Sequence, residues 1–439
     1  MKDSQKQFAP ILENLKIAEL NEMQLKAMQA IEKETDVVLL APTGSGKTLA
    51  FLLPLLNFLD KNNPGVQALI LAPSRELSIQ IESVFKSMIS GFKVNCCYGG
   101  HSMQIEKNNL KQPPAVLIGT PGRIADHIDH RRINVSTIKT LVLDEFDKSL
   151  EMGFEAEMSF IIGKLRLNKR ILTSATQAIE IPEYTGIRKA VVLDFVEDQK
   201  PVNLVMKAVM SDSRDKLDTL FQLLCTLGNR STLVFCNHRE AVERVSNYLN
   251  QGGIANGFFH GGMEQDDRER ALIKFRNGSH HLLITTDLAA RGLDIPEIFN
   301  IIHYHLPTTE DAFTHRNGRT ARMNASGVSY VLLSKDENRP SFLPKSIILE
   351  ELPANPPKPE PSDWKTLYLA AGKKDKISKA DIAGFLMQKG QLQKDELGLI
   401  IVLDFVSFAA VKRTKAAHVV QLVRNETLKK KKVKIEIAN

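Results

Sequence analysis

The sequence predicts an α/β fold: two tandem parallel-sheet domains followed by a small α+β domain. Three observations lead there. The chain has 439 residues, too many for one core and enough for two to four domains of roughly 100–200 residues. Short strands that are apolar throughout alternate with amphipathic helical stretches, the pattern of strands covered on both faces. Beyond a proline-dense stretch the order changes to strand, helix, strand, strand, helix, strand.

In the first series the expected strands are Val37 to Leu40, Ala68 to Ala72, Ala115 to Ile118, Leu141 to Leu143 and Arg170 to Thr173. Each runs into a turn or polar cluster, and in parallel sheets chemistry collects beyond the carboxyl ends of the strands. A second series follows Lys200-Pro201: Ser231 to Phe235, Leu282 to Thr285, Asn300 to Tyr304 and Val328 to Leu333. Leu352 to Pro361 is proline-dense and reads as a semi-extended linker. After it, Thr366 to Ala370, Leu397 to Asp404, Val406 to Lys412 and Lys432 to Ile437 read as strands, with helices at Lys379 to Gln388 and Thr414 to Val423. That βαββαβ order is the ferredoxin-like pattern used by RNA-recognition modules. The expected domains are 1–200, 201–345 and 363–439, with 346–362 as linker.

Composition narrows the function classes. The residues are 43% hydrophobic and 25% charged, as in ordinary globular proteins. No run of about 18 apolar residues exists, so no membrane span is expected. The stretch Met1 to Lys6 has no apolar core of a secretory signal, and a cytoplasmic, monomeric protein is expected. Cys96, Cys97, Cys225 and Cys236 form no Cys-x-x-Cys pair, which argues against a zinc or disulfide framework. Residues 361–439 hold 16 lysines and arginines against 8 acidic residues, a net of +8, leaving −1 of the total +7 for the rest. A neutral body with a basic end suggests an appended polyanion-binding module, or simply a solvated lysine-rich surface.

The chemistry is concentrated in three clusters. Ala41 to Thr48 has P-loop spacing, with Ala for the leading glycine, between an apolar strand and a helix. Thr43, Gly44, Ser45 and Gly46 form a tight turn whose amides face phosphate oxygens. Lys47 brings a point charge to the β and γ phosphates, and Thr48 offers a hydroxyl to Mg²⁺. Asp144 at the end of the next relevant strand has the place of a Mg²⁺-holding acid, and Glu145 that of the group that orients or deprotonates water. An Asp-Glu pair alone is usually a helix cap; the P-loop upstream decides otherwise. His315 to Arg322 presents arginines at three-residue spacing, expected on one helix face, to stabilise charge on a γ-phosphoryl group after domain closure. ATP and Mg²⁺ are the implied cofactors.

Taken in order, these clusters resemble the DEAD-box helicases of superfamily 2 over about residues 8–345. The first domain carries Gln24, Ala41 to Thr48, Pro73 to Leu77, Gly99-Gly100, Thr120 to Arg123, Asp144 to Asp147 and Ser174 to Thr176. The second carries Val234 to Asn237, His260-Gly261 with Gln265 and Arg268, Thr285 to Asp294, and His315 to Arg322. The resemblance implies two RecA-like domains. Gln24 is then expected to read the adenine edge, Asp294 to touch the ribose, and Glu145 to act as base. Asp147, Ser174 and Thr176 would couple hydrolysis to closure, with Arg319 and Arg322 as arginine fingers. Arg75, Gly100, Thr120, Arg123 and Thr286 would lie along the RNA sugar-phosphate backbone, which makes the grip blind to sequence. The sequence departs from the family at Ile17, where an aromatic is usual, at Leu20 to Glu22, which replace Pro-Thr-Pro, at Phe146, which replaces Ala, and at Asn317 and Ala321.

The C-terminal piece resembles the RNA-binding domain of DbpA-type bacterial helicases, through Thr366 to Leu369, Gly372 to Ile377, Asp381-Ile382 and Asp404 to Val411. This implies a structured hairpin of large-subunit ribosomal RNA as partner and a pre-ribosomal particle as setting. Lys373, Lys374 and Lys376 share one loop and are the expected RNA contacts. Tyr368 and Phe408 fall on the central strands, either as base platforms or as core aromatics. The expected function is ATP-dependent local unwinding of structured RNA; a catalytically weak ATP-gated RNA clamp or general RNA chaperone, and a DNA translocase, are the alternatives. Ser174-Ala175-Thr176 and Thr120 to Arg123 follow the RNA rather than the DNA pattern.

Overall fold

The structure, a computed structural model, describes residues 7–42, 44–100, 102–175, 180–196, 204–287, 298–320, 327–344 and 346–438. Two compact units divide it, one ending at residue 196 of the described chain and the other starting at residue 204.

The first unit is built on β1 (Asp36–Leu40), β2 (Ala68–Leu71), β3 (Val94–Cys97), β4 (Val116–Gly119), β5 (Thr140–Leu143), β6 (Lys169–Ser174) and β7 (Val191–Asp194). They form one parallel sheet in the order β3-β4-β2-β5-β6-β1-β7. Every residue of β1, β2, β4 and β5 is buried, which is why these strands read as unbroken apolar runs. Helices cover both faces. One side packs Phe51, Leu52, Leu53 and Phe85 against Val37, Ile70 and Val142; the other packs Ile124, Met158 and Ile161 against Leu69, Leu117 and Leu141. Each such side chain contributes about 1.5–3 kcal/mol on burial.

The second unit repeats the plan. Its strands are β8 (Leu204–Ser211), β9 (Thr232–Phe235), β10 (Gly257–Phe259), β11 (Leu282–Thr285), β12 (Asn300–His303), β13 (Gly327–Ser334) and β14 (Ile348–Leu349). They order as β10-β11-β9-β12-β13-β8-β14, all parallel. The sequence pattern did not reveal β3, β7, β8, β10 and β14. Four of the five are sheet edges and the fifth, β8, is next to one, where one-sided burial erases the apolar run; β7 and β14 leave Val192, Ile348 and Leu349 more than half exposed.

The same unit ends in an antiparallel sheet of β15 (Trp364–Leu369), β16 (Leu397–Val402), β17 (Ser407–Lys412) and β20 (Ile435–Ile437), ordered β16-β17-β15-β20. Between its second helix and β20 sits a small hairpin, β18 (Thr427–Leu428) with β19 (Lys431–Lys432). The βαββαβ order is therefore as expected. One face of this sheet packs its two helices through Ile382, Leu386, Val419 and Val423. The other face meets the helix Gln265–Arg276. Ile273 packs with Phe408 and Ala438, and the Arg270 guanidinium lies 6.0 Å from the Tyr368 ring. Ser279 and Thr366 hydroxyls are 2.7 Å apart at its rim. No helix among the described residues is long and apolar enough to cross a membrane.

Candidate functional site

The strand order of the first sheet brings the P-loop and the acidic pair together. β6 lies between β1 and β5, so the residues beyond all three converge. The Ala41 amide donates to the Ser174 carbonyl at 3.0 Å, tying the start of the loop to β6. Gly44 and Gly46 have φ of 87° and 92°, in the left-handed region where glycine carries no penalty. Lys47 opens the helix Lys47–Leu55 and is buried; its Nζ donates to the carbonyls of Ala41 and Pro42. Thr48 follows it, half-buried, on the first turn. Thr43 lies outside the described residues.

Gln24 reaches this loop from another helix. Asn21 and Gln24 form a reciprocal capping box at the start of Glu22–Lys33. Gln24 Nε2 then donates to the Gly46 carbonyl at 3.3 Å, and Asn21 Nδ2 to the Ser45 carbonyl at 3.0 Å. Asn21 thus takes part in the site although it appeared only as a departure from the family pattern. The Asn-x-x-Gln capping spacing was the signal that could have found it.

Asp144 and Glu145 follow β5, both buried. Burial, reinforced by the Glu145 charge, pushes the Asp144 carboxyl up to about 6, against a hydrogen bond from Thr173 and the charge of Lys47. Burial also raises Asp147, which Lys148 opposes at 3.7 Å. The Phe146 ring is wholly buried in the core that includes Leu71, Leu143, Ile161 and Leu172, so it is absorbed by packing below the strand ends. Ser174 is buried at the end of β6, and Thr176 lies outside the described residues. The donor set fits a nucleoside triphosphate with Mg²⁺. A left-handed glycine turn, a buried lysine, a helix-start threonine and a carboxylate destabilised by burial stand on adjacent strand ends, and a divalent cation relieves such a carboxylate.

The expected RNA-facing residues gather on the other half of the same sheet edge, past β2, β3 and β4. Arg75 starts the helix Arg75–Ser87 behind the Ser74 cap. Its guanidinium lies against Gly99, where an added Cβ would stand 3.3 Å from Nη2, and Gly100 beside it has a φ of 86°. Thr120 precedes the helix Pro121–Asp129, which carries Arg123. Arg123 Nη1 is 3.4 Å from Glu106 Oε2. Glu106 is buried, accepts the Tyr98 amide at 3.1 Å and meets His127 Nε2 at 2.8 Å, which joins the Gly99-Gly100 turn to the Arg123 helix. No sequence pattern marked Glu106. Cys97 lies beside this pair, its thiol kept protonated by burial.

In the second unit, Thr286 follows β11, half-buried. Arg316 is the hub there. It is almost wholly buried, pairs with Asp287 through two nitrogens at 2.5 and 2.7 Å, and donates to the His305 carbonyl and Asn237 Oδ1. The expectation of three arginines on one helix face is corrected. The helix Glu310–Asn317 stops before Gly318, and the Thr320 hydroxyl bonds the carbonyls of Ile298 and Phe299, which draws the chain alongside them. Arg319 therefore sits in the turn after the helix, buried. Asp294 and Arg322 lie outside the described residues.

In the C-terminal sheet Tyr368 and Phe408 are direct cross-strand partners with ring centroids 5.7 Å apart, on the face that covers Ile273. They are packing aromatics in this arrangement. Lys373, Lys374 and Lys376 are exposed in the loop that follows β15, whose amides at 373 and 374 donate to the carbonyls of Leu403 and Asp404. The β18–β19 hairpin abuts this loop: Lys429 bridges to Asp381 at 2.8 Å and Lys431 to Asp375. With Ser378 assisting, Lys429 holds the Asp381 carboxyl down at about 2.

Family comparison agrees with this geometry. Residues 21–183 match the DEAD/DEAH box helicase family, 215–324 the helicase conserved C-terminal domain and 366–437 the DbpA RNA binding domain. The chain is 30% identical to ATP-dependent RNA helicase DbpA of Bacillus subtilis (strain 168), over 98% of this chain and 96% of the relative. It is 29% identical to DbpA of Escherichia coli (strain K12), over 94% and 93%. Among solved structures it resembles Mss116p bound to ssRNA and AMP-PNP (TM-score 0.67, 25% identity, 75% of this chain and 73% of that one). Dbp5 of S. cerevisiae bound to RNA and ADP BeF3 shares the fold (TM-score 0.66, 24% identity, 74% and 88%).

Fold and site together define a P-loop enzyme with two RecA-like domains. The chain belongs to the DEAD-box ATP-dependent RNA helicases, RNA-dependent ATPases, and ends in an RNA-binding domain of the DbpA type.

Proposed function

We propose that this helicase remodels a structured segment of large-subunit ribosomal RNA during ribosome assembly in the cytoplasm, acting as a monomer. The supporting observation is the combination, in one chain, of the phosphate site on the first sheet with a basic DbpA-type domain. In this reading the domains are 1–200, 201–345 and 363–439, and the proline-rich 346–362 that joins the last two also supplies β14 to the second sheet. Thr43 to Thr48 and Gln24 bind ATP, and Asp294 touches its ribose. Thr48 and Asp144 hold Mg²⁺, largely through water. When bound, that ion neutralises phosphate charge. Glu145 orients and deprotonates the attacking water, and Lys47, Arg319 and Arg322 stabilise charge on the transferring phosphoryl group. Asp147, Ser174 and Thr176 couple hydrolysis to domain closure. Arg75, Gly100, Thr120, Arg123 and Thr286 grip the RNA backbone, while Lys373, Lys374 and Lys376 anchor a ribosomal RNA hairpin.

ATP hydrolysis measured with no nucleic acid, single-stranded DNA, an unrelated RNA and bacterial large-subunit ribosomal RNA tests this. Strong stimulation by ribosomal RNA alone is expected. Equal stimulation by any RNA would demote the C-terminal domain to a general grip. The second reading, an ATP-gated clamp, rests on Phe146 standing where the family has alanine. It requires wild-type and Glu145→Gln proteins to hydrolyse ATP at the same rate.

A further inference from the structure

Thr173 stands one residue before Ser174 and none of the expected roles uses it. The register explains its place. β5 pairs with β6 so that Leu143 faces Leu172, which sets the next residues, Asp144 and Thr173, side by side beyond the strand ends. Thr173 is wholly buried. Its hydroxyl donates to Asp144 Oδ1, and its oxygen accepts the Glu145 amide at 3.2 Å. A carboxylate only accepts and an amide only donates, so the direction of both bonds is forced. Glu145 has φ 48° and ψ 52°, a left-handed backbone that a side-chain-bearing residue adopts only at a cost. One hydroxyl therefore fixes the rotamer of the first acid and the strained backbone from which the second leaves.

We infer that Thr173 is a positioning residue for metal-dependent nucleotide binding, holding one Asp144 oxygen so that the other faces the cation site and locking Glu145 in its turn. The inference rests on the proposed phosphate and Mg²⁺ site. Its chemical requirement is a small buried hydroxyl at the end of β6. Valine has the shape without the donor; serine keeps the donor. Removing the hydroxyl leaves two buried groups without this partner. The first effect falls on the geometry offered to Mg²⁺ rather than on the phosphate cradle, which Gly44, Gly46 and Lys47 form on a different strand end.

The test is binding of a fluorescent ADP to the full-length protein, with Mg²⁺ and with EDTA, for wild type, Thr173→Val and Thr173→Ser. The expected result is an unchanged affinity in EDTA for all three. The tightening on adding Mg²⁺ should fall about tenfold in Thr173→Val and stay near wild type in Thr173→Ser. Equal loss with and without Mg²⁺, or a serine variant as impaired as the valine one, would overturn the inference in favour of a purely structural threonine. So would a valine variant with wild-type Mg²⁺ gain. If Thr173→Val does not fold, Thr173→Cys, with a weaker donor of similar size, must lie between wild type and no gain. Asp144→Asn is the control for the underlying site. If it keeps the full Mg²⁺ gain, the site reading itself fails; if it loses the gain while Thr173→Val keeps it, only the role of Thr173 fails.

Discussion

Gln24 donates its side-chain amide to the backbone carbonyl of Gly46, so the helix Glu22–Lys33 is bonded to the turn expected to cradle phosphate. An added Cβ at Gly46 would stand 2.4 Å from that amide nitrogen, and the φ of 92° disfavours any side chain there. Gly46→Ala should weaken ATP binding about 100-fold, the sum of a backbone penalty of roughly 1–2 kcal/mol and a displaced Gln24. Equilibrium titration with a fluorescent nucleotide checks it; affinity within threefold of wild type would mean the loop does not need this conformation.

The Arg316 to Asp287 pair predicts a stability effect. Arg316→Ala removes a buried, four-bonded guanidinium and should cost about 3 kcal/mol in the second domain. Arg316→Lys should recover little, because an ammonium cannot make the two-nitrogen contact. Urea denaturation followed by circular dichroism reads both. A lysine variant as stable as wild type would show that charge alone suffices.

Acid should unfold the second domain first. Burial drives His280 and His303 down to about 3 and His305 to about 4, so all three are neutral in the fold at pH 7. Below about pH 6.5 the unfolded chain takes up protons that the folded chain refuses, so stability present above pH 6.5 is lost as pH falls toward 3. At pH 5 the loss is roughly 2 kcal/mol for each of His280 and His303. His303→Gln should narrow the gap between urea midpoints at pH 7 and pH 5; an unchanged gap would remove His303 from the account.

Trp364 is the single tryptophan and lies near Gly278, at the seam between the helix Gln265–Arg276 and the C-terminal sheet. Ile273→Lys places a charge against Phe408 and should open that seam. A red shift of Trp364 emission, with ATP affinity unchanged, is the expected outcome. Unshifted emission would mean the sheet holds to the helix without Ile273.

The loop lysines predict a salt signature. Replacing Lys373, Lys374 and Lys376 together with alanine should reduce the slope of log affinity against log salt by about 2–3 for a ribosomal RNA hairpin. An unchanged slope would place the phosphate contacts elsewhere on the domain.

How much of this was legible in the sequence varies by element. The interior strands were, because burial on both faces leaves unbroken apolar runs such as Val37 to Leu40. So were the glycine turn and Asp144-Glu145, because phosphate chemistry demands fixed residue types at short spacing. The edge strands β3, β7 and β14 were not, since exposure on one side dilutes the pattern. The arginines of His315 to Arg322 looked like one helix face, but periodicity does not register that Gly318 and the Thr320 bonds end the helix.

The sequence by itself determined the fold class, the glycine turn of Ala41 to Thr48, the Asp144-Glu145 pair and the basic C-terminal domain, because each is a local pattern of polarity or spacing. Only the tertiary structure decided which distant groups meet. It set Thr173 beside Asp144, Glu106 between Tyr98 and Arg123, and Phe408 against Ile273. Those contacts follow from strand order and register, which arise from the packing of whole sheets rather than from any short stretch of chain.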